Sequence, residues 1–167
     1  GRKGLVGIHA WLVPREIIQK AGRWRRALVC DDDGEYFCRV VLASSGVMRT
    51  EGCAYYRRHD GERLSPRRSA SDWRDQLVAT RLKEKRLLEA AEDRQETVQV
   101  HAFASRQYMQ VAYQTYPTYP VLSAVAERWA ESKKEPTVLP SPKSKRARFA
   151  RTVLGWRGHR IMSSILS

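Results

Sequence analysis

The side chains of this 167-residue chain that could do chemistry fall into three groups. The first is Cys30, Cys38, Cys53 and His59. Zinc needs four thiolate or imidazole ligands in a tetrahedron, and these four are the candidates. Their spacings of seven, fourteen and five intervening residues lack the paired knuckle of a CxxC site. Packed free thiols in a reducing compartment are the simpler reading, and no metal is expected. The second group is Asp31, Asp32, Asp33 and Glu35. An EF-hand loop alternates its ligands and closes on a distant Glu, a pattern absent here. With Gly34 among them, these carboxylates read as the solvated tip of a hairpin. His9, His59, His101 and His159 are far apart, and no GxSxG, HExxH, Walker or GxGxxG pattern occurs. The expectation is a protein without catalysis, cofactor or small-molecule substrate.

The third group is an excess of cations. There are 31 basic residues against 18 acidic ones, a net charge of +13, and the basic set is 23 Arg to 8 Lys. Arg presents a planar fork of donors that matches phosphate bidentately and stacks on bases, so the bias favours nucleic acid. A GC-rich genome would also enrich Arg. From Pro136 to Ser167 there is no acidic residue, while Lys143, Lys145, Arg146, Arg148, Arg151, Arg157 and Arg160 all lie there. Such a segment repels itself in isolation, and ordering it calls for a counter-charged surface, most often phosphate. Phe149, Trp156 and His159 are interleaved with those charges. Their rings could stack on unpaired bases or fill a protein crevice. Arg23, Arg25 and Arg26 surround Trp24 in a second cluster. Arg57, Arg58, Arg67 and Arg68 make a third, the alternative for both clusters being a solvated rim. These fourteen Arg and Lys side chains are the candidate RNA-binding set.

The elements that would position them read as an α+β chain. Residues 1–22 form an N-terminal arm and a short helix opened by Pro14 and closed by Gly22. Residues 23–57 form a small antiparallel β meander, with strands at 24–30 and 36–43 joined through the Asp-Gly turn and further strands at 47–50 and 53–56. Residues 58–70 form a basic loop. Residues 71–134 are helical: a long charged helix capped by Ser71 and running to about Tyr113, then a shorter one opened by Pro120. Residues 135–167 form an extended, Pro-containing basic tail, in which 147–154 could turn helical on an anionic partner. An unbroken helix over 71–113 would be about 60 Å long at 1.5 Å per residue. The β-branched Thr97, Val98 and Val100 make a break there reasonable. Its apolar stripe is narrow and the meander too small to cover it, so Trp73, Leu77, Leu88 and Met109 are the candidates to meet neighbouring proteins.

A small β unit, a long charged helix, Pro-rich connectors and basic extensions together resemble accessory proteins of large ribonucleoproteins, above all organellar ribosomes. The resemblance rests on architecture and composition, with no specific motif. It implies a structural protein of the mitochondrial matrix that neutralises rRNA phosphates and bridges neighbouring proteins, without a transmembrane segment. Two other readings remain open. One is an accessory subunit of a mitochondrial respiratory or ATP synthase complex. The other is a free-standing nucleic-acid-binding regulator.

Overall fold

The computed structural model describes residues 7–52, 69–135 and 145–165. Among these there is no β-strand, which overturns the expected α+β fold and its β meander. After one 3-10 turn at Ile8–Ala10 come six helices: α1 (Arg15–Ala21), α2 (Asp32–Ala43), α3 (Ala70–Ala90), α4 (Arg94–Thr115), α5 (Pro120–Glu131) and α6 (Lys145–Ile165).

The meander fails because its acidic "turn" is a helix N-terminus. Asp31 takes a left-handed conformation (φ 59°) as N-cap, and Asp32, Asp33 and Glu35 fill the first turn of α2. Carboxylates are favoured there by the free amides and the helix dipole. The Tyr36–Ala43 run is rich in strand-forming residues, but its inward side chains follow helical spacing: Tyr36 and Val40 are buried, with Phe37 and Ala43 packed beside them. Residues 24–30, expected as the first strand, are an irregular turn with Leu28 N–H donating to the Arg25 carbonyl at 3.2 Å. Residues 47–50 form no strand either, and 53–56 lie outside the described residues.

The long charged segment is two helices. α3 ends at Ala90 and α4 starts at Arg94, earlier than the β-branched cluster at 97–100. Asp93 is the reason: its carboxylate accepts from the Glu96 amide at 2.7 Å and restarts the helix. The cap of α3 is Ser69, two residues before the expected Ser71. Ser69 and Asp72 form a reciprocal capping box, Ser69 N–H donating to Asp72 at 2.7 Å. The short 91–93 link folds α4 back antiparallel on α3, so Glu84 meets Tyr108 of α4. α5 then folds back on α4, with Ser123 Oγ donating to the Ala112 carbonyl at 2.9 Å and Tyr108 edge-on to Trp129 at 5.5 Å.

This three-helix unit supplies its own core. Trp73, Leu77 and Met109, expected to await neighbouring proteins, are buried within it, and Leu88 is half-buried. The seam is tight because it is lined by small side chains: Ala104, Ala112, Ala126 and Ala130 are fully buried. Thr80 and Thr115 are buried as well, each hydroxyl bonded to the carbonyl four residues before it. α2 lies against α3, and α1 against α2.

Buried and half-buried carboxylates join these pieces. Glu35 is 2% exposed and accepts from Arg25 at 2.9 Å and from Arg39 at 3.0 Å. Arg39 also donates to the Ala21 and Arg23 carbonyls, which ties the end of α1 to α2. Asp31 meets Lys83 and Gln76 of α3, while Val29 N–H donates to Asp75 at 2.9 Å. Burial alone would push the Glu35 carboxyl up, but the bonds and charges of Arg39 and Arg25 outweigh it and hold it below its ordinary value of 4.5. At Asp31 burial wins over Lys83, and its carboxyl sits above its ordinary 3.8.

Two measurements check this account. Leu77→Ala should cost about 2–5 kcal/mol in urea unfolding, whereas a loss under about 1 kcal/mol would place Leu77 outside a packed core. The two carboxylates should oppose each other in acid. Stability from Glu35 is present above pH 4.5 and is lost as pH falls through its lowered folded value; protonation favours folding at Asp31. Unfolding free energies followed below pH 5 should therefore fall less steeply in Glu35→Gln and more steeply in Asp31→Asn than in the parent chain.

Candidate nucleic-acid interface

The acid-free C-terminal segment is helical where described, which corrects the expectation of an extended tail. Gly155, at φ 67° and ψ 178°, interrupts α6 and divides it into two parts. L-residues are strained at that φ, so glycine sets the kink.

The part after the kink is an anchor. Trp156 packs on Tyr113 and Tyr116, its ring centroid 6.3 and 5.6 Å from theirs. His159 is 7% exposed, with Nδ1 hydrogen-bonded to the Tyr113 hydroxyl at 3.0 Å. Arg160 Nε donates to the Tyr113 carbonyl at 3.1 Å, and its guanidinium lies over the Tyr113 ring. Arg157 pairs with Glu127 of α5 and sits over Trp156. Of the interleaved rings, Trp156 and His159 thus fill a crevice of the chain's own bundle.

The part before the kink carries Lys145, Arg146, Arg148 and Arg151. Arg148 is exposed and Arg151 half-exposed; the Lys145 and Arg146 side chains lie outside the described residues. Lys143, Arg57, Arg58, Arg67 and Arg68 also lie outside them.

The Arg23–Arg26 cluster is split by the fold. Arg25 donates to buried Glu35, so its charge is paired although its side chain stays 43% exposed. Arg23 and Arg26 are exposed and line an open groove of about 930 Å3 with Ile18, Gly22, Trp24 and Tyr36. Trp24 stacks on Tyr36 at 4.4 Å and donates its indole N–H to Asp32 at 2.8 Å. The sequence marked the charges of this cluster but not the groove, which appears only once Tyr36 is placed on a helix beside Trp24.

Two further features are interior. Cys30 and Cys38 are half-buried thiols, Cys30 donating to Gln76 at 3.6 Å, and burial pushes the Cys38 thiol up. Cys53 and His59 lie outside the described residues, among which no cluster of His, Cys, Asp and Glu is placed to hold a metal ion. Glu84, 5% exposed, takes the Tyr108 hydroxyl at 2.8 Å and Lys133 at 2.5 Å, with His101 Nδ1 3.5 Å away. Burial and Glu84 both push the Tyr108 hydroxyl up, which keeps it a neutral donor. Sequence reading passed over this cluster, because Glu84 and Lys133 stand inside charge runs that look solvated.

No family model matches the chain, and no curated protein or solved structure matches it either. No helix among the described residues is long and apolar enough to cross a membrane.

Trp156 is the side chain on which the anchor turns. In Trp156→Ala, hydrogen exchange should quicken across residues 156–165, while α3, α4 and α5 keep their protection. Unchanged exchange in 156–165 would mean that the ion pair and the Tyr113 bonds hold α6 without the ring.

Proposed function

We propose that this chain is a structural RNA-binding protein, with α6 as its principal phosphate-binding element. The observation that carries the reading is the division of α6. Its second half is fixed on Tyr113, Tyr116 and Glu127, and its first half presents basic residues on a helix that has no carboxylate of its own. Electrostatics supports it as well. All 18 acidic residues precede residue 136, so residues 1–135 carry 24 basic and 18 acidic groups, a net +6, and the acid-free segment adds +7 to reach +13. A field that uneven steers a polyanion toward one end of the molecule.

Arg and Lys side chains on a helix reach phosphate oxygens and ribose, contacts that position RNA without reading its sequence. The reading is therefore a binding role with little sequence preference. In the same proposal the chain serves as an accessory protein of a large ribonucleoprotein, an organellar ribosome in first place. Composition supports that setting, and the self-contained α3–α5 bundle suits a body that bears a basic arm.

RNA titration of the full chain across salt concentrations tests it. For single strands, log K should fall with log salt by about 0.7 per phosphate neutralised. Replacing Lys145, Arg146, Arg148 and Arg151 by Gln should make the slope shallower by about 3. A slope near zero in the parent chain, or the same slope in the variant, would overturn the assignment to α6.

A further inference from the structure

We propose that the groove between α1 and α2 is a second RNA site, one that seats an unpaired nucleotide: a base stacked at Trp24, with its phosphate held by Arg23 and Arg26. The inference rests on the RNA-binding reading above and adds a single-strand-specific subsite to it.

The chemistry is assembled from the residues of the groove. Trp24 is 38% exposed although it stacks on Tyr36, so a large aromatic surface is supported from the protein side and open to solvent. Its indole N–H is already satisfied by Asp32, which fixes the ring's edge. A ring held in that way loses little freedom when a base stacks on it, and stacking tolerates any base because every base has a π-face. Tyr36 is itself buried, backed by Phe37 and held below Arg39, so the support is rigid.

The two guanidinium groups are available. Arg25 spends its charge on Glu35, but Arg23 and Arg26 are exposed, and among the described residues neither has a carboxylate partner. The Asp32 carboxylate stands at the indole edge, which places a bound phosphate on the Arg side of the ring. The groove's volume of about 930 Å3 lies within the roughly 300–1,000 Å3 of ligand clefts, so there is room for a nucleotide unit. A base inside a duplex is stacked on its neighbours and cannot enter. The groove therefore favours a single strand, a loop or a bulge, whereas the cations of α6 take either form.

The test uses the full chain with an unstructured single-stranded RNA, a duplex of the same length, and a 4-thiouridine-substituted single strand for photo-crosslinking. The parent chain should crosslink within the groove, at Trp24 or Tyr36, besides α6. Trp24→Leu should lose about tenfold in single-strand affinity, and its preference for single strand over duplex should fall toward unity. Should Trp24→Leu disturb the helical circular dichroism, Arg23→Gln/Arg26→Gln decides instead, since both side chains are exposed. That double variant should also weaken single-strand binding by more than duplex binding. An equal loss on both forms would reduce the groove to a plain phosphate patch and overturn the stacking site. Crosslinks confined to α6, with unchanged affinities in both groove variants, would overturn the groove and leave the α6 reading standing. No RNA binding by the parent chain at low salt would overturn both.

Discussion

A carboxylate leaves water only in company, and three of them hold this molecule together. Each sits where two pieces of the fold meet. Glu35 gathers Arg25 and Arg39, and Arg39 reaches on to the carbonyls at the end of α1. Asp31 meets Lys83 and Gln76 across the α2–α3 boundary. Glu84 of α3 meets Tyr108 of α4 and Lys133 beyond α5. Buried ion pairs are weak evidence for stability, because desolvation offsets the attraction, but breaking one leaves a buried charge without its partner. Their contribution here is register: a helix slid by one turn would lose its counter-ion as well as its packing.

That constraint also sorts the cations. In a chain with 31 basic residues, the inward carboxylates select Arg25, Arg39, Lys83 and Lys133, and Glu127 takes Arg157. The neighbours of these residues in sequence stay outside. Exposed Arg23 and Arg26 flank an Arg25 that is itself at the surface but paired with Glu35, and Lys85 and Arg86 come just after an inward Lys83 and pair, among the described residues, with surface Glu89. Adjacent like charges in the sequence therefore have opposite fates in the fold. A basic cluster in a sequence marks a region, and only the helix phase says which member can meet an anion.

The helical half of the chain was legible from the sequence in part. Pro14 and Gly22 bracket α1, Pro120 opens α5, and both follow from backbone geometry that depends on no tertiary contact. The stretch from 23 to 52 was not, because Asp-Gly signals a hairpin and an acidic helix start equally well, and Tyr36–Ala43 is rich in strand formers. Tertiary packing decided, since α3 offers Asp75, Gln76 and Lys83 to the loop and the α2 face. The width of the apolar stripe was misjudged for a different reason. Ala104, Ala112, Ala126, Ser105, Ser123, Thr80 and Thr115 are buried, yet small or hydroxylated side chains carry little hydrophobic signal. Counted with Leu77 and Met109, they make α4 a helix with two covered sides, one toward α3 and one toward α5. The candidate site was legible as charge and illegible as shape: the Trp24 groove and the α6 anchor both depend on residues brought together across the fold.

The kink at Gly155 connects these two aspects of the molecule. A straight helix carrying six cations and no carboxylate could roll against the bundle and settle wherever an acidic side chain was nearest. The aromatic anchor prevents this. Trp156, His159 and Arg160 converge on Tyr113, a single residue that offers its ring, its hydroxyl and its carbonyl to three partners. Arg157 meets an acidic partner, Glu127, and does so on the anchored side. Fixing the far half by rings and hydrogen bonds, with one ion pair, leaves Lys145, Arg146, Arg148 and Arg151 on the other side of the bend. The uneven field of the chain is written in its sequence, and the aromatic anchor on Tyr113 sets where the acid-free helix meets the bundle.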